Sequence, residues 1–245
     1  MVGLAWACMA SAAAQNEGTA TGQVIVCKGL LVPYTQARMA SRSQGVIESI
    51  RDEGEFVKAG EVVMKLESGM EELQVAQQEH ILALRDFEWK SADELRRKNV
   101  VSATEGEEKR ITLEVAKVQL AQARELLSRR TVVAPFDGVV AEQLREVGEA
   151  VDEFVPVLVL VDVNTLALEV FLPASRLREI REGQPVTVRI PGEAEKSFQG
   201  RVDKVAPVVN AASGDFKVRI VIPNKEGDLV AGTPATAEIQ PSARH

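Results

Sequence analysis

Catalytic chemistry needs nucleophiles, bases or metal ligands brought together, and this chain offers few of them. It has two histidines, His80 and His245, and two cysteines, Cys8 and Cys27. That is too little for a Cys-rich zinc site, and a hydrolytic Ser–His–Asp relay is hard to build from it. Met39, Met64 and Met70 are scattered, so the clustered sulfur that soft metals require is lacking. Asp52, Glu53 and Glu55 surround Gly54 as a turn cluster, not a carboxylate pair across a cleft. The run EGEEKR at 105–110 reads as the charged start of a helix. His80 is expected to be a partly buried structural residue. No nucleophile elbow, phosphate loop or dinucleotide fingerprint occurs. The sequence predicts no catalysis, no bound metal and no cofactor, so any function lies in surfaces and in the elements that present them.

Composition fits a folded, acidic protein. Of 245 residues, 45% are hydrophobic and 27% charged, and 36 acidic side chains outnumber 29 basic ones, giving a net charge of −7. Those fractions suit a chain that buries a core. With only 4% aromatics and a negative charge, the chain is a poor nucleic-acid binder. Residues 1–14, MVGLAWACMASAAA, resemble the end of a secretory signal peptide cut before Gln15, with a disordered tail or a lipid anchor at Cys8 as alternatives.

An internal repeat organises the rest. Residues 45–66 (GVIESIRDEGEFVKAGEVVMKL) and 138–160 (GVVAEQLREVGEAVDEFVPVLVL) both open on Gly-Val, turn at Gly-Glu (54–55 and 148–149), and close on an apolar strand. Each is too small to bury a core alone, so the two are expected to pair as one flattened β-sandwich. Alternation in the first closing strand puts Val62, Met64 and Leu66 on one face and Val63, Lys65 and Glu67 on the other.

Between the copies, 70–98 and 107–128 lack Gly and Pro and are rich in strong helix formers. Leu113, Ala116, Leu120, Ala123 and Leu127 follow the 3- and 4-residue steps of a coiled-coil seam, and Leu73, Ile81, Leu84, Phe87 and Leu95 mark a looser stripe. Arg96, Arg97 and Lys98 suit a helix C-terminus, Asn99 suits a left-handed cap, and Ser102 with Glu105 forms a capping box. The prediction is an antiparallel hairpin projecting roughly 40 Å, packed against other copies or partners. From 165 onward strands alternate again (Leu166, Leu168, Val170, Leu172; Val186, Val188, Ile190; Phe216, Val218, Ile220, Ile222), with a short helix from Pro173 to Arg181, which suggests a compact β-barrel.

This order of parts resembles the HlyD-like membrane fusion proteins, the periplasmic adaptors of tripartite efflux and secretion pumps. The resemblance rests on LLSRRTVVAPFDGVV at 126–140 and EGEFVKAGEVVMKLES at 53–68, and spans about 24–240. It implies an α+β fold: an elongated modular adaptor with a split lipoyl-like sandwich (45–68 and 129–163), an inserted helical hairpin (69–128) and a small β-barrel (164–240). Residues 15–44 are then lead-in strands and 241–245 a tail. It also implies a non-enzymatic, envelope-associated periplasmic protein and a homo-oligomer. The implied partners are an inner-membrane transporter, of the resistance–nodulation–division or ATP-driven class, and a TolC-like outer-membrane channel.

Two departures accompany the resemblance. The chain ends just after VAGTPATAEI, which resembles a final barrel strand, so the membrane-proximal domain of multidrug-pump adaptors is expected to be missing or cut away. Adaptors that meet a TolC-like channel resemble an Arg-x3-Leu-x6-Ser pattern at the tip. Leu95 and Ser102 match it and are the candidate partner-binding residues, but Ser91 stands at the Arg position and Lys90 points about 100° away. Paired half-motifs also resemble biotinyl and lipoyl carrier domains, with Lys65 in Val63-Met64-Lys65-Leu66 as the apparent acceptor. The carrier register counted from Gly60 lands on Met70 instead, which makes Lys65 a solvated strand lysine. A carrier domain and a stand-alone coiled-coil scaffold remain the alternatives.

Overall fold

The computed structural model describes residues 24–98, 100–191 and 196–241. The N-terminal stretch read as a signal peptide and the proposed Asn99 cap lie outside them. The elements run β1 (Ile25–Pro33), β2 (Gln36–Ala40), β3 (Gly45–Ile50), β4 (Phe56–Val57), β5 (Val62–Leu66), α1 (Gly69–Arg97) and α2 (Ala103–Ser128). Then come β6 (Thr131–Val133), β7 (Gly138–Gln143), β8 (Ala150–Val151), β9 (Pro156–Val161) and β10 (Thr165–Pro173). A 3-10 turn (Ala174–Glu179), shorter than the expected helix, leads to β11 (Pro185–Arg189), β12 (Ser197–Val209), β13 (Asp215–Pro223) and β14 (Pro234–Ile239).

The repeat folds as a sandwich with an internal two-fold relation. Two four-stranded sheets, β2-β9-β7-β4 and β6-β5-β3-β8, face each other. The halves exchange equivalent hydrogen bonds. Gly54 N–H donates to Val140 O and Gly148 N–H to Ile47 O, both at 2.9 Å. Gly60 N–H donates to Ala134 O and Phe154 N–H to Ser41 O, both at 2.8 Å. Each turn has a bond of its own, such as Glu55 N–H to Asp52 O at 3.2 Å and Glu149 N–H to Glu146 O at 3.1 Å, but each is also tied to the opposite half. Ile47, Val57, Met64, Leu66, Val140, Val157, Leu158 and Leu160 fill the core between the sheets.

Strict alternation fails in β5. Both Val63 and Met64 are buried, because the pairing slips between Val62 and Met64 against β6. A bulge of this kind turns two successive side chains to the same face, so Val63 belongs to the core and not to the outer face.

The six-stranded barrel closes in the order β1-β10-β13-β12-β11-β14. Its core takes every alternating residue expected of β10 and β13, together with Val186 and Val188. Of the stretch 15–44, expected to hold lead-in strands, the described residues 24–44 carry β1 and β2. β1 is a barrel stave, paired with β10 on one side and β14 on the other, and β2 is a sandwich strand paired with β9. Ile25, Cys27 and Leu31 point into the barrel core. Gly29 lets the backbones touch, since a Cβ there would meet the Glu169 carbonyl oxygen at 2.2 Å. Two chain segments join barrel to sandwich, and they are bonded to each other: Tyr34 N–H to Thr165 O at 3.1 Å, Asp162 N–H to Thr35 O at 2.9 Å.

Candidate functional site: the helical hairpin

The hairpin leaves and re-enters the sandwich on adjacent strands. Lys65 pairs with Thr131, and Leu66 N–H donates to Arg130 O at 2.8 Å. Arg130 then clamps the foot. Its Nη1 donates to Gln44 O at 2.6 Å and its Nη2 pairs with Glu71 in the first turn of α1. Desolvation would raise the Glu71 carboxyl, but the Arg130 hydrogen bond and charge outweigh it and hold the group below the ordinary carboxylate range. Beside it Ser68 Oγ donates to Glu72 at 2.6 Å.

Lys65 sits in this foot. Its ammonium lies 2.9 Å from Glu48 and 3.9 Å from Glu72, and the hydrogen bond to Glu48 raises its pKa. Its side chain is 35% exposed, within β5 and not on a projecting turn. A carrier lysine needs a free, projecting ammonium, so this placement suits a strand lysine.

The seam of α2 is as the spacing predicts: Leu113, Ala116, Leu120 and Ala123 are buried, with Leu127 half-buried. α1 differs from its expected stripe. Leu73, Leu84, Phe87 and Leu95 are exposed, and Ile81 is only half-buried. The inner face of α1 instead carries Glu71, Val75, Gln78, Leu82, Arg85, Trp89 and Ala92, again at 3- and 4-residue steps. Polar side chains hold alternate positions in that set, which hid it from an apolar count. Arg85 pairs with Glu88 at 2.9 Å, and beside this face Glu88 meets Lys109 at 3.4 Å and Glu79 meets Arg124 at 2.7 Å. Gln78 Oε1 is buried with no partner. His80 is exposed, not partly buried as expected.

At the tip, Arg97 ends α1 and Lys98 N–H bonds back to the carbonyls of Glu94 and Arg96. Val100 N–H donates to Leu95 O at 2.9 Å. That six-to-one bond is the closure that places residues 95 and 100 where apolar side chains characteristically meet. Ser102 caps α2, accepting from Glu105 N–H at 3.1 Å. Gly106 is buried because the Arg96 side chain lies over it; a Cβ would come within 3.0 Å of Arg96 Cδ. Asp93 pairs with both Arg96 and Arg97, and the Arg96 hydrogen bond holds its carboxyl low. Leu95 is 40% exposed and Val100 67%. The hairpin therefore presents Leu95, Val100 and Ser102 together at its end. The sequence pattern singled out Leu95 and Ser102 as candidates but not Val100, which the helix-closing bond to Leu95 brings to the same end.

Among the described residues no group of His, Cys, Asp and Glu side chains could hold a metal ion, and no helix is long and apolar enough to cross a membrane. The geometry suits docking of apolar surface.

Comparison with known proteins agrees with these parts. Residues 35–162 match the family described as the CzcB-like barrel-sandwich hybrid domain, and 166–243 match the CusB-like β-barrel domain. The nodulation protein NolF of Rhizobium meliloti (strain 1021) is 26% identical over 219 residues, which is 83% of this chain and 60% of that protein. The multidrug resistance protein MdtN of Escherichia coli K12 is 33% identical over 79 residues, 32% of this chain and 23% of MdtN. The chain thus spans 60% or less of these relatives. A MacA–MexA chimera carrying the Pseudomonas aeruginosa MexA hairpin superposes with a TM-score of 0.79 at 18% identity, over 89% of this chain and 81% of the chimera. The membrane fusion protein Spr0693 of Streptococcus pneumoniae R6 superposes at 0.71, also at 18% identity, over 89% of this chain and 100% of that one. With the split sandwich and its inserted hairpin inside the first match, and every barrel strand but β1 inside the second, the chain belongs to the CzcB-like barrel-sandwich hybrid family and carries the CusB-like barrel behind it.

Proposed function

We propose that this protein is a non-catalytic adaptor of the periplasm. It links an inner-membrane transporter, of the resistance–nodulation–division or ATP-driven class, to a TolC-like outer-membrane channel. Several copies assemble around the conduit. The supporting observation is the rigid lever: paired rods of 29 and 26 residues, anchored by Arg130 to the sandwich, end in an exposed apolar tip. Burial of such a tip against a partner is favourable at about 25 cal/mol per Å² of apolar area. The relatives named above point the same way, one as a multidrug resistance protein and one as a membrane fusion protein. In this reading Leu95 and Ser102 touch the channel and the barrel end faces the transporter.

Site-specific photo-crosslinking in the native envelope tests it. A crosslinker at Leu95 is expected to capture an outer-membrane channel, and one at Val208, exposed at the barrel end away from the sandwich, an inner-membrane transporter. Recovery of neither from either position overturns the adaptor role and leaves the scaffold reading.

A further inference from the structure

The first barrel strand is apolar on both faces. Ile25, Cys27 and Leu31 point into the core, as alternation requires, but Val24, Val26 and Leu30 on the outer face are 45%, 63% and 47% exposed. The solvated face of an antiparallel sheet is ordinarily polar. Phe171 of β10, 61% exposed, joins the same wall. It lies one step past the Gly29–Val170 pair, which sets it beside Lys28, and it pairs with Lys217 on its other side. An exposed ring thus stands between two lysines, next to the valines of β1.

The charge here departs from that of the chain as a whole, in which 36 acidic side chains outnumber 29 basic ones. Lys28 is exposed on the wall, and Arg178 and Arg181 are exposed on the 3-10 turn and just after it, where the chain continues from β10. Several carboxylates of this region are engaged: Glu238 with Arg189 at 3.3 Å, Glu179 with Arg176 at 2.9 Å, and Glu169 with Lys217. Of the other described acidic side chains at this end, Glu182 is exposed and Asp215 half-buried. Lys28, Arg178 and Arg181 thus stand against Glu182 and Asp215, which reverses the balance of the whole chain.

Topology puts this wall at one pole of the molecule. β1 starts there and runs to Pro33 at the sandwich junction. From that junction β2 runs from Gln36, beside Val161, to Ala40, and then Arg42 and Ser43 contact Glu125 and Arg129 at the end of α2. The rim at Val24 and the hairpin therefore lie at opposite ends. Residues preceding Val24 join the barrel at this same rim. In the six-strand order β12 stands opposite β1, so Val208 lies across the barrel from Val26 and Lys28.

We propose that this rim is a lipid contact, resting on the anionic headgroups of a bilayer. Val24, Val26 and Phe171 enter the boundary between headgroups and acyl chains, and Lys28, Arg178 and Arg181 meet the phosphates. Long basic side chains beside an apolar ring suit that boundary, because their stems lie along the apolar layer while their heads reach the charge. Apolar burial and attraction to anionic lipid then add. A lipid surface fits better than a protein partner. Apolar side chains here alternate with charged ones, Val26 beside Glu238 and Phe171 between Lys28 and Lys217, and form no pocket for a partner's anchor to fill. The contact goes beyond the adaptor reading: it seats one side of the barrel on the membrane and leaves the Val208 side for the transporter.

The test is co-sedimentation of the purified full chain with vesicles of phosphatidylglycerol and phosphatidylcholine in equal parts, against phosphatidylcholine alone. Binding is expected to favour the anionic vesicles and to fade as salt is raised. Lys28→Gln/Arg178→Gln is expected to weaken it on the order of ten-fold or more. The control Lys90→Gln/Lys117→Gln removes two charges from the hairpin and is expected to bind like the parent. Equal losses from both pairs would mean attraction by overall charge and overturn the proposal. Binding that no rim variant alters would overturn it too, and would leave the wall to a protein partner. Phe171→Trp reads the depth: lipids brominated on their acyl chains are expected to quench its fluorescence beyond the parent's, and an unquenched ring would remove it from the bilayer. Circular dichroism confirms the fold of each variant. Neither transporter nor channel is present, so the two readings separate. Failure here with intact envelope crosslinks would sink the lipid contact and leave the adaptor; the converse would sink the adaptor alone.

Discussion

Phe154 and Gly60 hold one backbone conformation in two halves of a repeat, and only glycine holds it freely. Relief of strain at Phe154 should be worth about 1 kcal/mol, because left-handed bulky residues cost on the order of 1–3 kcal/mol and this ring buries little. Urea denaturation of Phe154→Gly at low protein concentration, where association does not contribute, should show a higher midpoint. Cys27 makes a second residue-scale case. Burial in the barrel pushes its thiol up to about 11. A thiol so protonated at neutral pH should react slowly with a disulfide reagent in a Cys8→Ser chain, and modification should track barrel opening. Rapid modification in the folded state would contradict the closed barrel. Glu71 gives a pH dependence. Its folded carboxyl titrates lower than its unfolded one, so its contribution is complete above the ordinary carboxylate pKa and fades as pH falls through the depressed value. Glu71→Gln should therefore lower the urea midpoint near neutral pH and flatten the loss of stability between about pH 5 and pH 3.

Single helices and strands show what could be read in advance. The α2 seam was legible because Leu113, Ala116, Leu120 and Ala123 are apolar at every step. The α1 inner face was not, because Glu71, Gln78 and Arg85 hold positions an apolar count skips, while the apolar Leu84 and Phe87 face outward. In β5, alternation assumed even pairing, and the slip at Val62 broke it. At the tip, Ser102 was legible from capping chemistry, whereas the exposure of Leu95 depends on how α1 is rotated. Ser102→Ala should cost about 1 kcal/mol, seen as faster amide exchange at Glu105 and the first turn of α2, with the barrel unaffected. Gly29→Ala should cost more, about 2 kcal/mol or above, because its Cβ would meet a backbone carbonyl that cannot yield. A shared melting point with the parent would show that the β1–β10 approach is looser than described.

Across the whole molecule, the parts are nested: the hairpin interrupts the sandwich, and the sandwich interrupts the barrel between β1 and β10. Composition and repeat predicted the inner insertion; the outer one was hidden because β1 meets β14 more than 200 residues away along the chain. Because Lys65 and Thr131 are already paired, replacing 69–128 by a short turn should leave sandwich and barrel folded, with cooperative unfolding by calorimetry. Nesting also fixes an order of completion during synthesis. Rods built from neighbouring residues can form as they emerge, but the first stave must wait for the last. Until residues 234–239 arrive, β1 keeps an open, sticky margin of unpaired amides and carbonyls, the kind of surface on which nascent chains aggregate. Loss of β14 alone would thus damage the barrel more than its six residues suggest, and the growing protein has most need of a chaperone until that strand has emerged.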